Sequence, residues 1–344
     1  MQIKNLLPQK IKNVYHLGQA GLANLIYGFP SKKLKVIGIT GTNGKTTTCQ
    51  MITRILEEAG YKVAMASTIN FKLGRKEWVN KTKFTTLSSF QVQKFISEAV
   101  REECDCLVLE ISSHSLDQYR VAGISFHTAV ITNITREHLD YHGTMTEYRL
   151  AKIKLFEDVK TSIVNLNMEN PKEFLEFGEE KYGYFLKIPN SKLQIPNKLE
   201  KPNLKIKEIK AEDIETGANY SKFKIQNSKF YLNLPGLFNI ENALAATCVG
   251  LSENINLETI RIALEKIKKV PGRLEYILNN KGLNIIVDYA VTPDSLEKLY
   301  GYIETIKKEN SKIISVFGAC GQRDRGQRPI MGKIVGKNAD YAIV

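Results

Sequence analysis

Residues Lys35–Thr40 (KVIGIT) place apolar side chains at alternate and adjacent positions, the pattern of a strand buried on both faces, and lead straight into a glycine-rich loop, Gly41–Gly44. A helix is predicted from Lys45 to about Ala59, followed by a strand near Val63–Ser67 and a helix near Ser88–Glu102. The strands Cys106–Ile111 (CLVLEI) and Thr128–Thr132 (TAVIT) and a helix near Thr146–Phe156 continue the alternation. Strands alternating with helices imply a parallel sheet covered by helices on both faces. From about Lys181 to Leu234 the pattern shifts to short alternating stretches such as Tyr220–Ile225 and Phe230–Leu234, which predict an antiparallel extension. Helices near Ile240–Leu251 and Leu257–Lys268 precede Val270-Pro271-Gly272, the best candidate linker. Asn284–Asp288, Pro293–Lys308 and Lys312–Gly318 then restart a strand–helix–strand unit. The division expected is a short helical segment over 1–33, an α/β domain over 34–270 and a second α/β domain over 271–344. The chain stops at Val344 on a buried-looking strand, so the second domain is expected to be truncated.

At 344 residues with 43% apolar and 25% charged residues, the chain can bury two cores of ordinary composition. Its formal net charge of +13 favours anionic partners. The excess is uneven: no Asp or Glu occurs before Glu57, and a second lysine-rich stretch runs from about Lys181 to Lys229. Neither stretch has the interleaved aromatics of a nucleic-acid reader, so no nucleic-acid partner is expected. Five cysteines, Cys49, Cys104, Cys106, Cys248 and Cys320, are an odd number set in apolar surroundings, which suits reduced thiols in the cytoplasm. Val14–Phe29 is apolar-rich but interrupted by His16, Gln19, Gly21 and Asn24. It is too broken to span a bilayer, and a helix packed on the body is expected in preference to one touching a membrane.

The loop Thr40-Gly41-Thr42-Asn43-Gly44-Lys45-Thr46-Thr47 lies between a strand and a helix, where successive backbone N–H groups and the helix N-terminus can wrap phosphate oxygens. Lys45 can neutralise β/γ-phosphates and the Thr46 hydroxyl can ligate Mg²⁺, although the general phosphate-loop pattern wants Gly where this chain has Ile39. Glu110 ends a strand at the C-terminal edge of the sheet, where a carboxylate can complete a Mg²⁺ shell. Cys104 and Cys106 on one strand face, with His138 and His142 at helical spacing, form a rival zinc set. The C-x-C pair lacks the usual spacing of such sites.

The string GTNGKTTT resembles the ATP loop of the Mur ligases and their folylpolyglutamate synthase cousins. Leu109–His114 with Gln118 and Arg120 is similar to the "EVSSH…Q.R" segment of the tripeptide-synthetase branch, and Thr132–Gly143 resembles "TNLSRDHLDYHG". Pro235–Asn242, Pro271-Gly272-Arg273, Val287–Ala290 and Gly321–Pro329 (GQRDRGQRP) complete the series in the same order, so the resemblance covers Ser31 to Val344. It implies a central parallel-sheet domain of the phosphate-loop ATPase kind, followed by an incomplete Rossmann-like α/β domain. It further implies ATP and Mg²⁺ as cofactors, with a monomeric enzyme joining a UDP-muramoyl-dipeptide to an amino acid through an acyl-phosphate. By that resemblance Lys45, Glu110, His138 and a carbamylated Lys152 are catalytic, and Thr46, Glu110, His138 and Lys152 hold metal. ATP would be bound by Gly41, Thr42, Asn43, Gly44, Lys45, Thr46, Thr47, Asn239, Asn242, Arg273 and Asp288, and the muramoyl substrate by Thr85, Thr86, Ser112, Gln118 and Arg120.

Two departures bear on that reading. About thirty residues precede the central domain, where the family has a domain gripping the uridine diphosphate, and Val291 stands where the family's "DYAHTPDS" has His. A valine neither donates a hydrogen bond nor titrates. The alternatives are a folylpolyglutamate-synthase-like or other Mur-type ligase acting on a different acceptor, and a nucleotide-binding scaffold without ligation.

Overall fold

A computed structural model describes residues 8–82, 84–188, 205–319 and 324–344. Cys320, the Gly321–Arg323 part of the GQRDRGQRP motif and residues 189–204 of the second lysine-rich stretch lie outside the described residues. The chain opens with helix α1 (Gln9–Tyr27) and a short 3-10 turn, Pro30–Lys33, then β1 (Lys35–Thr40), α2 (Lys45–Glu58) and β2 (Val63–Ala66). A hairpin of β3 (Asn70–Leu73) and β4 (Lys76–Val79) precedes α3 (Ser89–Arg101), β5 (Cys106–Glu110), α4 (Ser113–Asp117), β6 (Thr128–Ile131), α5 (Leu139–His142) and α6 (Met145–Ile153). Then follow β7 (Thr161–Asn165), α7 (Lys172–Leu175), β8 (Glu180–Leu186), β9 (Lys207–Thr216), β10 (Ser221–Ile225), β11 (Ser228–Leu232), α8 (Leu237–Ser252) and α9 (Leu257–Glu265). All these strands form one sheet of eleven, in the order β11-β10-β9-β8-β7-β6-β1-β5-β2-β3-β4.

Strand β1 lies at the centre, parallel to both β5 and β6, with Ile39 beside Glu110 and Thr40 beside Ile131. That register brings the C-terminal ends of three strands to one edge, directly beneath the Gly41–Gly44 loop. The central strands are buried on both faces. Ile52, Val108, Leu244 and Ile260 lie in the core on the side of α2, α8 and α9, while Phe95, Leu107, Ile131 and Phe156 lie in the opposite core with α3. Double burial explains why the central strands read as continuous apolar runs. Helix α3 is set by a capping box in which Ser88 and Gln91 satisfy each other's backbone groups.

The antiparallel extension expected from Lys181 onward is only partly found. Strands β8 and β9 continue the parallel sheet, and antiparallel pairing starts at β9–β10 and β10–β11. Alternating polarity along β9 marks one solvent-facing side and says nothing of strand direction. The two candidate zinc cysteines also separate. Cys106 begins β5 and packs in the α2 side core, whereas Cys104 precedes the strand and packs in the core on the other face. Among the described residues no group of three or more His, Cys, Asp or Glu is placed to hold a metal ion.

The C-terminal part contains β12 (Glu275–Ile277), β13 (Ile285–Val287), α10 (Pro293–Ile306), β14 (Ile314–Val316), α11 (Gln327–Asn338) and β15 (Tyr341–Ile343). The strand–helix–strand restart is present, but β13 pairs antiparallel with β12, and β14 pairs parallel with β15 in a separate sheet. Its core is small, Leu296, Tyr300, Met331, Ile334 and Val335, and the strands leave Ile314, Val316 and Ile343 exposed. With so little apolar burial, amides of β13–β15 are expected to exchange through openings that leave β1, β5 and β6 protected. Hydrogen exchange read by mass spectrometry checks this.

Candidate active site

The loop after β1 needs glycine at two positions. Gly41 has φ +146° and a Cβ there would lie 1.9 Å from Thr132 Oγ1. Gly44 has φ +86° and its Cβ would lie 2.3 Å from Asn242 Oδ1. The loop is held from the side by the end of β6. Thr42 N donates to Asn133 O (2.9 Å), Asn43 N to Asn133 Oδ1 (2.9 Å), and Thr132 Oγ1 to Asn43 O (2.6 Å). Lys45, at the first position of α2, folds its ammonium back onto the carbonyls of Gly41 (3.0 Å) and Thr42 (2.8 Å). A loop of amides at a helix N-terminus with a lysine arched over it is a preformed anion cradle.

Glu110 sits at the end of β5, 3% exposed. Its carboxylate accepts from Thr46 Oγ1 (3.0 and 3.1 Å), from Thr68 Oγ1 (2.8 Å) and from Thr68 N (2.7 Å). Thr68 was missed at the level of sequence because no motif carries it; only the register of β2 beside β5 brings it there. Lys152, on α6, is 1% exposed, donates to Gly41 O (2.9 Å) and lies 4.4 Å above the Tyr148 ring. Tyr148 in turn shares a hydrogen bond with the Thr42 hydroxyl (3.1 Å). The i, i+4 spacing of Tyr148 and Lys152 was the available signal for that pair. Burial, reinforced by the nearby Lys45 charge and opposed by Glu137, holds the Lys152 ammonium well below the ordinary lysine range. His138 caps α5 with φ 57°; its Nε2 lies 3.4 Å from a Glu137 carboxylate oxygen and its ring 4.6 Å from that of His114.

One cavity joins these groups. Its wall includes Gly41–Thr47, Glu110, His138 and Lys152, together with Thr68, Thr85, Ser112, Glu137 and Tyr148. The far wall comes from α8 (Phe238, Asn239, Glu241, Asn242) and from the C-terminal part (Arg273, Leu274, Asp288, Tyr289, Val291). Arg273 crosses to donate to Thr46 Oγ1 (3.0 Å), with its guanidinium 4.7 Å over the Tyr289 ring. Asn43 crosses the other way, donating to Asp294 Oδ2 (2.8 Å). Asn242 accepts from Thr48 Oγ1 (3.3 Å) and donates to Asn239 Oδ1 (3.3 Å). Asp288 accepts from Leu274 N (2.7 Å), and burial raises its carboxyl.

The expected substrate-side residues divide. Thr85 and Ser112 line the cavity, while Thr86, Gln118 and Arg120 do not. Arg120 donates to Thr86 O (3.0 Å) and Thr86 Oγ1 lies 3.3 Å from Ser112 Oγ, so Thr86 and Arg120 form a layer behind the wall. Nearby, His142 meets Ser113 Oγ at 3.0 Å and burial pushes its imidazole down to about 4. The folded state then resists protonation that the unfolded chain accepts below about 6.5. Stability should therefore fall as pH drops from about 6.5 towards 4, with a smaller drop in His142→Gln. Urea midpoints across that range measure it.

The fold and cavity define a phosphate-loop α/β protein with a second α/β unit closing over the loop. Residues 39–250 match the Mur ligase middle domain and residues 272–344 match the Mur ligase glutamate ligase domain; the chain belongs to the Mur ligase family. It is 40% identical over 324 residues to the UDP-N-acetylmuramoyl-L-alanyl-D-glutamate–2,6-diaminopimelate ligase of Clostridium botulinum, covering 92% of this chain and 63% of the relative. The corresponding ligase of Clostridium tetani is 37% identical, covering 97% of this chain and 66% of its own length. The chain thus spans somewhat less than two thirds of these relatives. Among solved structures, a UDP-N-acetylmuramoyl-L-alanyl-D-glutamate–2,6-diaminopimelate ligase superposes with a TM-score of 0.64 at 27% identity, over 90% of this chain and 61% of that one. The folylpolyglutamate synthase of Mycobacterium tuberculosis shares the fold, with a TM-score of 0.71 at 15% identity over 95% and 78% of the two chains.

Proposed function

We propose that this chain, divided into domains near Val270, catalyses ATP-dependent amide formation in cytoplasmic peptidoglycan synthesis. It would join the D-glutamate carboxylate of UDP-N-acetylmuramoyl-L-alanyl-D-glutamate to an amino acid of the diaminopimelate or lysine class. The observation that carries the reading is the single cavity in which Lys45, Glu110, His138 and Lys152 face Arg273 and Asp288.

The donor set fits a hard divalent cation. Glu110 and the Thr46 hydroxyl offer oxygens at one place, and His138 with Lys152 could hold a second ion once the lysine carries a carbamate. Bound Mg²⁺ would supply charge neutralisation for the transferred phosphoryl group. The chain's own contribution is positioning. The loop amides and Lys45 would hold the ATP phosphates, Arg273 would reach them from the second domain, and Asp288 would meet the ribose. The substrate carboxylate takes the γ-phosphoryl group from ATP, releasing ADP. The amino acid's neutral amine then attacks the acyl carbon, phosphate leaves, and the amine gives up a proton. No protein nucleophile is required. Incubation with ATP, Mg²⁺, the muramoyl-dipeptide and either diaminopimelate or lysine should yield the tripeptide by mass, with one phosphate per product. Tight ATP binding with no product from either amino acid would refute the assigned reaction.

A further inference from the structure

Helix α1 is built inside out. Its two asparagines face the body. Asn24 donates to Ala122 O (2.9 Å) and accepts from Gln93 Nε2 (3.0 Å), Asn13 donates to Asp117 Oδ2 (3.2 Å), and Ala20 and Ala23 pack beneath them. These bonds, spread over three turns, fix the helix's rotation. The opposite face then presents Ile11, Val14, Tyr15, Leu22, Leu25 and Ile26 to solvent, with Val14 70%, Leu25 67% and Ile26 61% exposed. At 100° per residue those six fall on one stripe. Scattered surface leucines are ordinary, but a continuous stripe along a nineteen-residue helix is an interaction surface.

The charge around the stripe says what covers it. Lys12 lies on its first turn, and Lys32 and Lys33 are exposed just past its end, with Lys32 5.4 Å over the exposed Phe29 ring. No acidic residue occurs anywhere before Glu57. An apolar stripe flanked by lysines and free of acids matches an anionic bilayer surface, in which the stripe enters the acyl boundary and the ammonium groups meet headgroup phosphates. No helix among the described residues is long and apolar enough to cross a membrane. We propose that α1 docks this protein on an anionic lipid surface through Val14, Leu22, Leu25 and Ile26, with Lys32 and Lys33 supplying the electrostatic attraction. The inference stands on the helix alone and is independent of the ligase reading.

Flotation of the full chain with vesicles of phosphatidylglycerol and phosphatidylcholine tests it. The protein should float with phosphatidylglycerol-containing vesicles, about tenfold less with phosphatidylcholine alone or in high salt. The double variant Leu25→Glu, Ile26→Glu should lose flotation about tenfold. Its melting curve should be unchanged, because both side chains are already in water. The proposal is overturned if the wild type stays unbound at low salt, or if the double variant floats equally well. It is also overturned if light scattering shows a lipid-indifferent dimer that the double variant splits, which would assign the stripe to a second copy.

Discussion

Lys45→Ala is expected to abolish ATP turnover, lowering it by at least about a thousandfold, while the melting temperature stays close to that of the wild type. The side chain is at the first position of α2, where alanine is a good helix former, and its ammonium donates to the carbonyls of Gly41 and Thr42. Removing it costs the Thr42 carbonyl its ammonium donor, while Gly41 O keeps its bond from Lys152, and it takes away the cation arched over the loop from the start of α2. ATP turnover measured by phosphate release, beside a thermal melt, separates the two effects. Turnover near the wild-type rate would mean that the loop does not hold the reacting phosphates.

The second large effect concerns Lys152. A lysine buried to 1% exposure, 2.9 Å from a carbonyl and repelled by Lys45, is unusually easy to hold as a neutral amine, and a neutral amine is the form that takes up CO₂. Carbamylation turns that amine, with loss of a proton, into an anion that could share a divalent ion with His138. Lys152→Ala should therefore lose ligation by about a thousandfold while ATP affinity changes by no more than about threefold, since ligation alone needs the second ion. With ¹³C-bicarbonate and Mg²⁺ the wild type should show a carbamate carbon resonance that the variant lacks. Equal loss of nucleotide binding and ligation would make Lys152 a structural residue of the loop.

The parts of this account legible in the sequence share one property: their signal is local. The strand–loop–helix at Lys35–Glu58 and helix α3 are each written within one short stretch of chain. So is the alternation of buried strands and helices through Ile153. What escaped reading depends on partners distant in the chain. The parallel pairing of β8 and β9 cannot be told from alternation, because a strand with one solvent-facing side alternates whichever way it runs. Thr68 reaches Glu110 through the register of β2 against β5. The retreat of Arg120 behind the cavity wall follows from its bond to the Thr86 carbonyl, which no spacing encodes. Helix α1 was legible as a helix on the body, but the side it turns inward was not. Periodicity places the apolar residues on one face, and only Asn24 and Asn13 decide that the face looks outward.

The central claim is that one cavity, closed from both sides, binds ATP with Lys45, Thr46 and Glu110 on one wall and Arg273 and Asp288 on the other. An electron-density map from crystals grown with a non-hydrolysable ATP analogue, Mg²⁺ and bicarbonate tests it most directly. The triphosphate should lie on Gly41–Thr47, with a cation between Thr46 and Glu110, the Arg273 guanidinium turned from Thr46 to phosphate oxygen, and a carbamate on Lys152. A nucleotide bound elsewhere, or one on the loop with Arg273 and Asp288 far from it and Lys152 unmodified, would contradict it.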